Sequence, residues 1–163
     1  MQEFTLRDTV KLVFSLGICY IAALIGSIGT ASGVDSSWYY SLDRPWFNPP
    51  GWVFGPVWTI LYTLMGISLY MVWKRYDGSR QVKSALAYFG VQLALNVLWS
   101  FSFFAIKSLP LSVLVIFLLL IFIALTLYSF YKVYRPAGYL LLPYLAWVSF
   151  AALINLSILC LNV

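Results

Sequence analysis

The chain has 163 residues, 63% of them hydrophobic and only 9% charged, with a net charge of +5 and no histidine. A soluble domain carries about 25% charged residues; with mean hydropathy at +0.90, the composition excludes an ordinary soluble domain and makes the bilayer the expected solvent. The missing histidine excludes a His-ligated haem or metal, a His general base and a His proton relay.

A helix that crosses the hydrocarbon core needs about 20 mostly apolar residues. Five uncharged stretches meet or approach that length, at 12–31, 52–73, 84–106, 108–131 and 137–161. They predict an all-α membrane protein, a five-transmembrane-helix bundle forming one domain over 1–163. The helices are expected at about 8–31, 50–75, 80–105, 108–132 and 136–161.

In the first span, Arg7 and Lys11 precede an apolar run that ends in small residues near GTASG, which resembles a cleaved leader. Glu3 and Asp8 dilute the basic start, and the run exceeds the usual length of about 7 to 15 residues, so a retained span is expected. Ala22 and Gly26 have the small-xxx-small spacing that permits close helix approach.

The connection that follows, 32–50, is the one long link. In RPWFNPPGWVFGPVW, Pro45, Pro49 and Pro50 oppose both helix and regular strand, while Trp46, Phe47 and Trp52 supply bulk at the depth of an aromatic belt. This predicts a stiff, irregular lid, or at the least an interfacial anchor. Pro50 or Gly51 should open the second helix, and Pro56 should free the carbonyl of Trp52.

Successive residues on a helix turn by about 100°. Trp58, Tyr62, Met65 and Leu69 therefore form one narrow stripe on the second helix, Tyr88, Gln92, Asn96, Trp99 and Phe103 another on the third, and Tyr144, Trp147, Ala151 and Asn155 another on the fifth. An amide facing lipid would lose its hydrogen bonds, so Gln92, Asn96 and Asn155 should turn inward and either pair with each other or line a cavity. Gly90 and Ala94 repeat the small-residue spacing on the third helix. The fourth helix, LSVLVIFLLLIFIALTLYSF, has little that is polar and reads as an outer, lipid-facing or packing helix. On the fifth, Pro143 is expected to free the carbonyl of Tyr139, close beneath the lid.

Ten basic residues set the orientation. Arg7, Lys11, Lys74, Arg75, Arg80, Lys83, Lys132 and Arg135 fall on one side, against Arg44 and Lys107 on the other. The positive-inside rule then puts the N-terminus in the cytoplasm and the lid outside. No nucleic-acid partner is needed to explain the charge. Cys19 and Cys160 cannot form a zinc or iron–sulfur set, and no ionisable group lies within the uncharged stretches, which argues against an ion-coupled pump. Trp- and Tyr-rich faces with a few amides suit a flat, largely apolar ligand held by stacking and one or two hydrogen bonds.

Three segments, WYYSLDRPWFNPPGWVFGPVWTILY (38–62), QLALNVLWSFSFF (92–104) and LPYLAWVSFAALIN (142–155), resemble the translocator protein and tryptophan-rich sensory protein family, also called the peripheral benzodiazepine receptor family. The resemblance implies a five-helix bundle, usually dimeric, whose first outer loop closes a pocket for porphyrins such as protoporphyrin IX and for benzodiazepine-type drugs. By matching position, Trp58, Asn96, Trp99, Trp147 and Ala151 correspond to pocket residues. Tyr62 and Asn155 join them by match and by helical spacing, and Trp38, Tyr39 and Pro45 belong to the lid side of the first motif. Some members are associated with light-dependent loss of protoporphyrin IX; for that chemistry Trp58 and Trp147 are the expected redox residues. No cofactor or metal is expected. Where animal members have a tyrosine followed by an arginine in a sterol motif, this sequence has Leu156 and no later basic residue. A bacterial cytoplasmic membrane is the expected location. Three functions stay open: a porphyrin binder with sensing or clearing activity, an uncoupled transporter of porphyrin or lipid, and a ligand-free scaffold.

Overall fold

The computed structural model describes residues 5–163, so Glu3 lies outside the described residues. Five helical spans are long and apolar enough to cross a membrane: Leu6–Ala31, Gly51–Trp73, Arg80–Ala105, Leu109–Val133 and Arg135–Leu161. The α-helices are α1 (Leu6–Ala31), α2 (Ser37–Ser41), α3 (Phe54–Trp73), α4 (Arg80–Ser100), α5 (Leu109–Val133), α6 (Arg135–Tyr139) and α7 (Leu142–Leu161).

Local chemistry sets their ends. α1 starts two residues earlier than the apolar pattern suggests because Thr5 and Asp8 form a reciprocal cap: the Asp8 amide donates to Thr5 Oγ1 at 3.3 Å, and the Thr5 amide to Asp8 Oδ2 at 3.1 Å. Ser79 caps α4 by accepting from the Val82 amide, and Ser108 caps α5 by accepting from the Leu111 amide. Pro110 sits in the first turn of α5, where its missing N–H costs nothing.

Two helices depart from regular form. α4 passes into a π-helical stretch, Phe101–Ala105, in which the Ile106 amide bonds the Phe101 carbonyl at 2.8 Å. The fifth span breaks at Leu140 and Leu141, so Pro143 lies in the first turn of α7 and does not interrupt a helix. The expectation that it breaks a helix beneath the lid is therefore corrected. Pro143 is exposed, and about 28 Å of helix at 1.5 Å per residue separates it from Asn162, the α7 end that meets the long connection.

That connection matches its proline content only in part. Residues 42–50 are irregular, but Ser37–Ser41 forms a short helix capped by Ser36, whose Oγ accepts from the Tyr39 amide. The connection is tied down at both flanks. Gly33 presses so closely on the Phe104 carbonyl that a Cβ would overlap it, and Asp43 and Asn162 exchange hydrogen bonds of 3.0 and 2.9 Å.

α1 packs between α3 and α4; α5 packs on α4, α6 and α7; α3 and α7 touch only slightly. α5 is a packing helix with one buried face (Val115, Ile116, Leu119, Ile123, Phe130) and one exposed apolar face (Leu114, Phe117, Ile121, Leu125). The buried stripe of α4 runs through Phe89, Gln92, Asn96 and Phe103; Tyr88 is only half-buried and pairs with Phe122. Ala22 and Gly26 are buried, and a Cβ on Gly26 would stand 3.5 Å from Ser100 Oγ, so this spacing serves packing within the chain. Gly90 and Ala94 are exposed.

The basic residues sort by end. Lys11 Nζ reaches the Trp73 carbonyl, Lys74 pairs with Asp8 at 3.0 Å, and Arg75 lies on Tyr134, so the N-terminus and the two basic links meet at one end. Arg44 and Lys107 belong to the other.

Candidate functional site

The three sequence stripes converge in the interior. Tyr62 on α3 donates to Asn96 Oδ1 on α4 at 2.8 Å, Asn96 Nδ2 donates to the Tyr144 hydroxyl on α7 at 2.8 Å, and that hydroxyl donates to Gln92 Oε1 at 2.9 Å. One polar chain thus stitches three helices in a place where no water competes. A second chain joins Trp99 Nε1 to Asn155 Oδ1 at 2.9 Å and Asn155 Nδ2 to Ser112 Oγ at 3.0 Å. The amides turn inward as expected but do not pair with each other; their partners are Tyr, Trp and Ser side chains. Ser112 on α5 completes the second chain, and the apolar look of that helix concealed it.

Above the first chain lies an aromatic face shared by α3 and α7. Trp58 sits 5.5 Å from Tyr62 and 6.3 Å from Tyr144, centroid to centroid. Trp147 sits 5.8 Å from Phe54 and 5.9 Å from Phe150, and Phe150 in turn lies 6.3 Å from Phe47 of the long connection. α3 and α7 touch little as helices, so the gap between them is bridged by these rings. Ala151, half-buried one turn beyond Trp147, keeps the α7 surface low.

A second aromatic group gathers around the π-helical stretch. Trp38 and Tyr39 pack edge-on against Phe103 at 5.8 and 6.4 Å, and Trp99 stacks on Phe103 at 5.7 Å. Trp99 packs against both the main buried core and the smaller one around Phe103 and Phe104. Pro45 stands apart, accepting from the Asn48 amide in a turn. The site residues named from sequence therefore divide into an α3–α7 set (Trp58, Tyr62, Trp147, with Asn96 below), a connection-facing set (Trp38, Tyr39, Trp99, Asn155), and Ala151 and Pro45 beside them.

Among the described residues three buried polar atoms have no protein partner, Ser15 Oγ, Gln92 Nε2 and Trp147 Nε1, and the last two lie at this site. A buried unpaired donor costs about 1–3 kcal/mol, so both mark positions where an acceptor would be favoured. Sequence reasoning placed Phe47 only as lid bulk and missed Phe54 and Phe150, which gave no helical signal of their own, and Arg44 as a site residue, whose guanidinium stands 4.6 Å over the Tyr39 ring. Among the described residues no cluster of His, Cys, Asp or Glu could hold a metal.

The sequence model of the TspO/MBR family matches residues 15–161. The tryptophan-rich protein TspO of Chlorobaculum tepidum is 44% identical over 162 residues, covering 96% of this chain and 98% of that protein. Its namesake in Archaeoglobus fulgidus is 42% identical, with 95% and 99% covered, and the translocator protein of Bos taurus is 35% identical, with 86% and 85% covered.

Proposed function

Since the chain belongs to the TspO/MBR family and is an integral membrane protein, we propose that it binds porphyrins of the protoporphyrin IX class, and benzodiazepine-type drugs in the same place. The observation that carries this reading is the α3–α7 aromatic face, with its buried and unpaired Trp147 indole N–H. A flat tetrapyrrole offers ring faces for Trp58 and Trp147 and acceptors for the indole N–H. Arg44, held over Tyr39, supplies a cation for a porphyrin carboxylate at the rim. The long connection, tied by Asp43 to Asn162, closes over the ligand as a lid.

In light, one electron passes from a Trp58 or Trp147 indole to the excited porphyrin, the indole being oxidised and the porphyrin reduced. Illuminating the dark-loaded protein and following porphyrin absorbance tests this step. The expected result is loss faster than that of free porphyrin, abolished by Trp58→Phe with Trp147→Phe; loss at the free rate contradicts it.

Uncoupled transport of porphyrin or lipid is the second reading. It is favoured by the absence of Asp, Glu, Lys and Arg from 12–34, 45–73, 84–106, 108–131 and 136–163, which leaves nothing at membrane depth to couple an ion. Vesicle uptake that occurs without a proton or sodium gradient would support it.

A further inference from the structure

At the basic end of the bundle, far from the Trp-rich connection, α5 and α6 meet at a single extended residue, Tyr134 (φ −157°, ψ 111°). A cleft of about 470 Å³ opens at this elbow, lined by Tyr131, Lys132, Val133, Tyr134, Arg135 and Pro136. The elbow is closely packed: a Cβ on Gly138 would come within 2.8 Å of the Tyr131 Cα, so α6 is pressed against the end of α5.

Two cations, Lys132 and Arg135, line the cleft, and a third, Arg75, lies on the ring of its lining residue Tyr134; each is laid on a tyrosine. The Arg75 guanidinium lies 3.3 Å from the Tyr134 ring centroid and donates to the Met71 carbonyl at 2.8 Å; Arg135 stands 5.7 Å from Tyr131 and Lys132 5.3 Å from Tyr128. Stacking orients these groups without neutralising them. Among the described residues the only ion pair is Lys74 with Asp8, and the Asp77 carboxylate is engaged by the Ser79 amide at 2.9 Å. Among the described residues, Lys132 and Arg135 at the hollow and Arg75 beside it on Tyr134 thus have no carboxylate partner. Beside it, the exposed face of α5 continues as Ile121, Leu125 and Tyr128, an apolar track leading into the membrane.

We propose that this cleft binds the phosphate headgroup of an anionic glycerophospholipid in the leaflet at the basic end. Arginine matches phosphate geometry with two parallel N–H donors, the tyrosines sit at headgroup depth, and the α5 track receives the acyl chains. The apolar track is what selects a lipid over a free phosphate ester.

The test uses the full chain in neutral detergent, incubated with equal amounts of phosphatidylglycerol and phosphatidylcholine, with bound lipid quantified by native mass spectrometry. Phosphatidylglycerol should be retained in preference. Lys132→Gln with Arg135→Gln, and Arg75→Gln alone, should weaken its retention roughly fivefold per cation removed, while Arg80→Gln with Lys83→Gln, an equal charge change away from the cleft, should leave it unchanged. Charge-preserving Lys132→Arg with Arg135→Lys should retain the lipid. Equal losses in cleft and control variants, no headgroup preference, or displacement by soluble glycerol phosphate would each overturn the proposal.

Discussion

Asn96 joins three helices through one side chain, its oxygen taking the Tyr62 hydroxyl and its nitrogen giving to Tyr144. Asn96→Leu removes both bonds and leaves two buried hydroxyls to re-pair, so unfolding in detergent should show a loss of about 1–3 kcal/mol. Trp147→Phe should behave differently. Its indole N–H has no protein partner, so its removal breaks no hydrogen bond; stability should fall by less than for Asn96→Leu, while porphyrin affinity falls. A larger loss of stability at Trp147 than at Asn96 would show that the indole serves packing alone. At this scale the helical period located Tyr62, Asn96, Trp99 and Asn155, because an amide cannot face lipid. Partners such as Ser112 and Phe150 were not legible, since they depend on how neighbouring helices are rotated and set in depth.

At the scale of elements, the five spans followed from apolar run length; the caps at Thr5 and Ser108 explain why two helix starts shift by two and one residues, and the cap at Ser79 fixes the third helix at its expected start, Arg80. The π-helical stretch at Phe101–Ala105 and the break before α7 carried no such signal, since both arise from packing against other segments. Pro143 illustrates this: the sequence suggests an interruption, but the chain has already turned at Leu140 and Leu141, so the proline begins a helix. Pro143→Ala should therefore change stability by less than about 1 kcal/mol. Gly33→Ala, by contrast, forces a methyl against the Phe104 carbonyl. It should cost about 1–3 kcal/mol in thermal unfolding and loosen the start of the long connection; a neutral result would show that this contact gives way easily.

Across the whole molecule, charge is pushed to the ends; the Trp-containing ring groups gather towards the long connection, while tyrosines hold the cations at the basic end. Charge bias and span count were legible because a bilayer constrains them directly; which helices neighbour one another was not, since lipid and protein faces are equally apolar. At the basic end, the hydrogen bond to the Asp8 carboxylate raises Lys74 above its ordinary 10.5. A raised folded-state value means that this contribution is fully present below 10.5 and is lost as pH rises through the raised value. Melting curves of Asp8→Asn and the parent protein should accordingly differ at neutral pH and converge in strong alkali. The described site residues include no Asp, Glu or His, so protein titration should not shift porphyrin affinity between about pH 5 and 8. The most direct measurement is a dark titration of the detergent-purified protein with protoporphyrin IX, read by tryptophan quenching, beside Trp58→Phe, Trp147→Phe and Trp46→Phe, the last altering an indole that is 94% exposed. Saturable binding, weakened by the first two substitutions and untouched by the third, is the predicted result; no saturable binding, or equal affinity in all four proteins, would contradict a porphyrin site on the α3–α7 face.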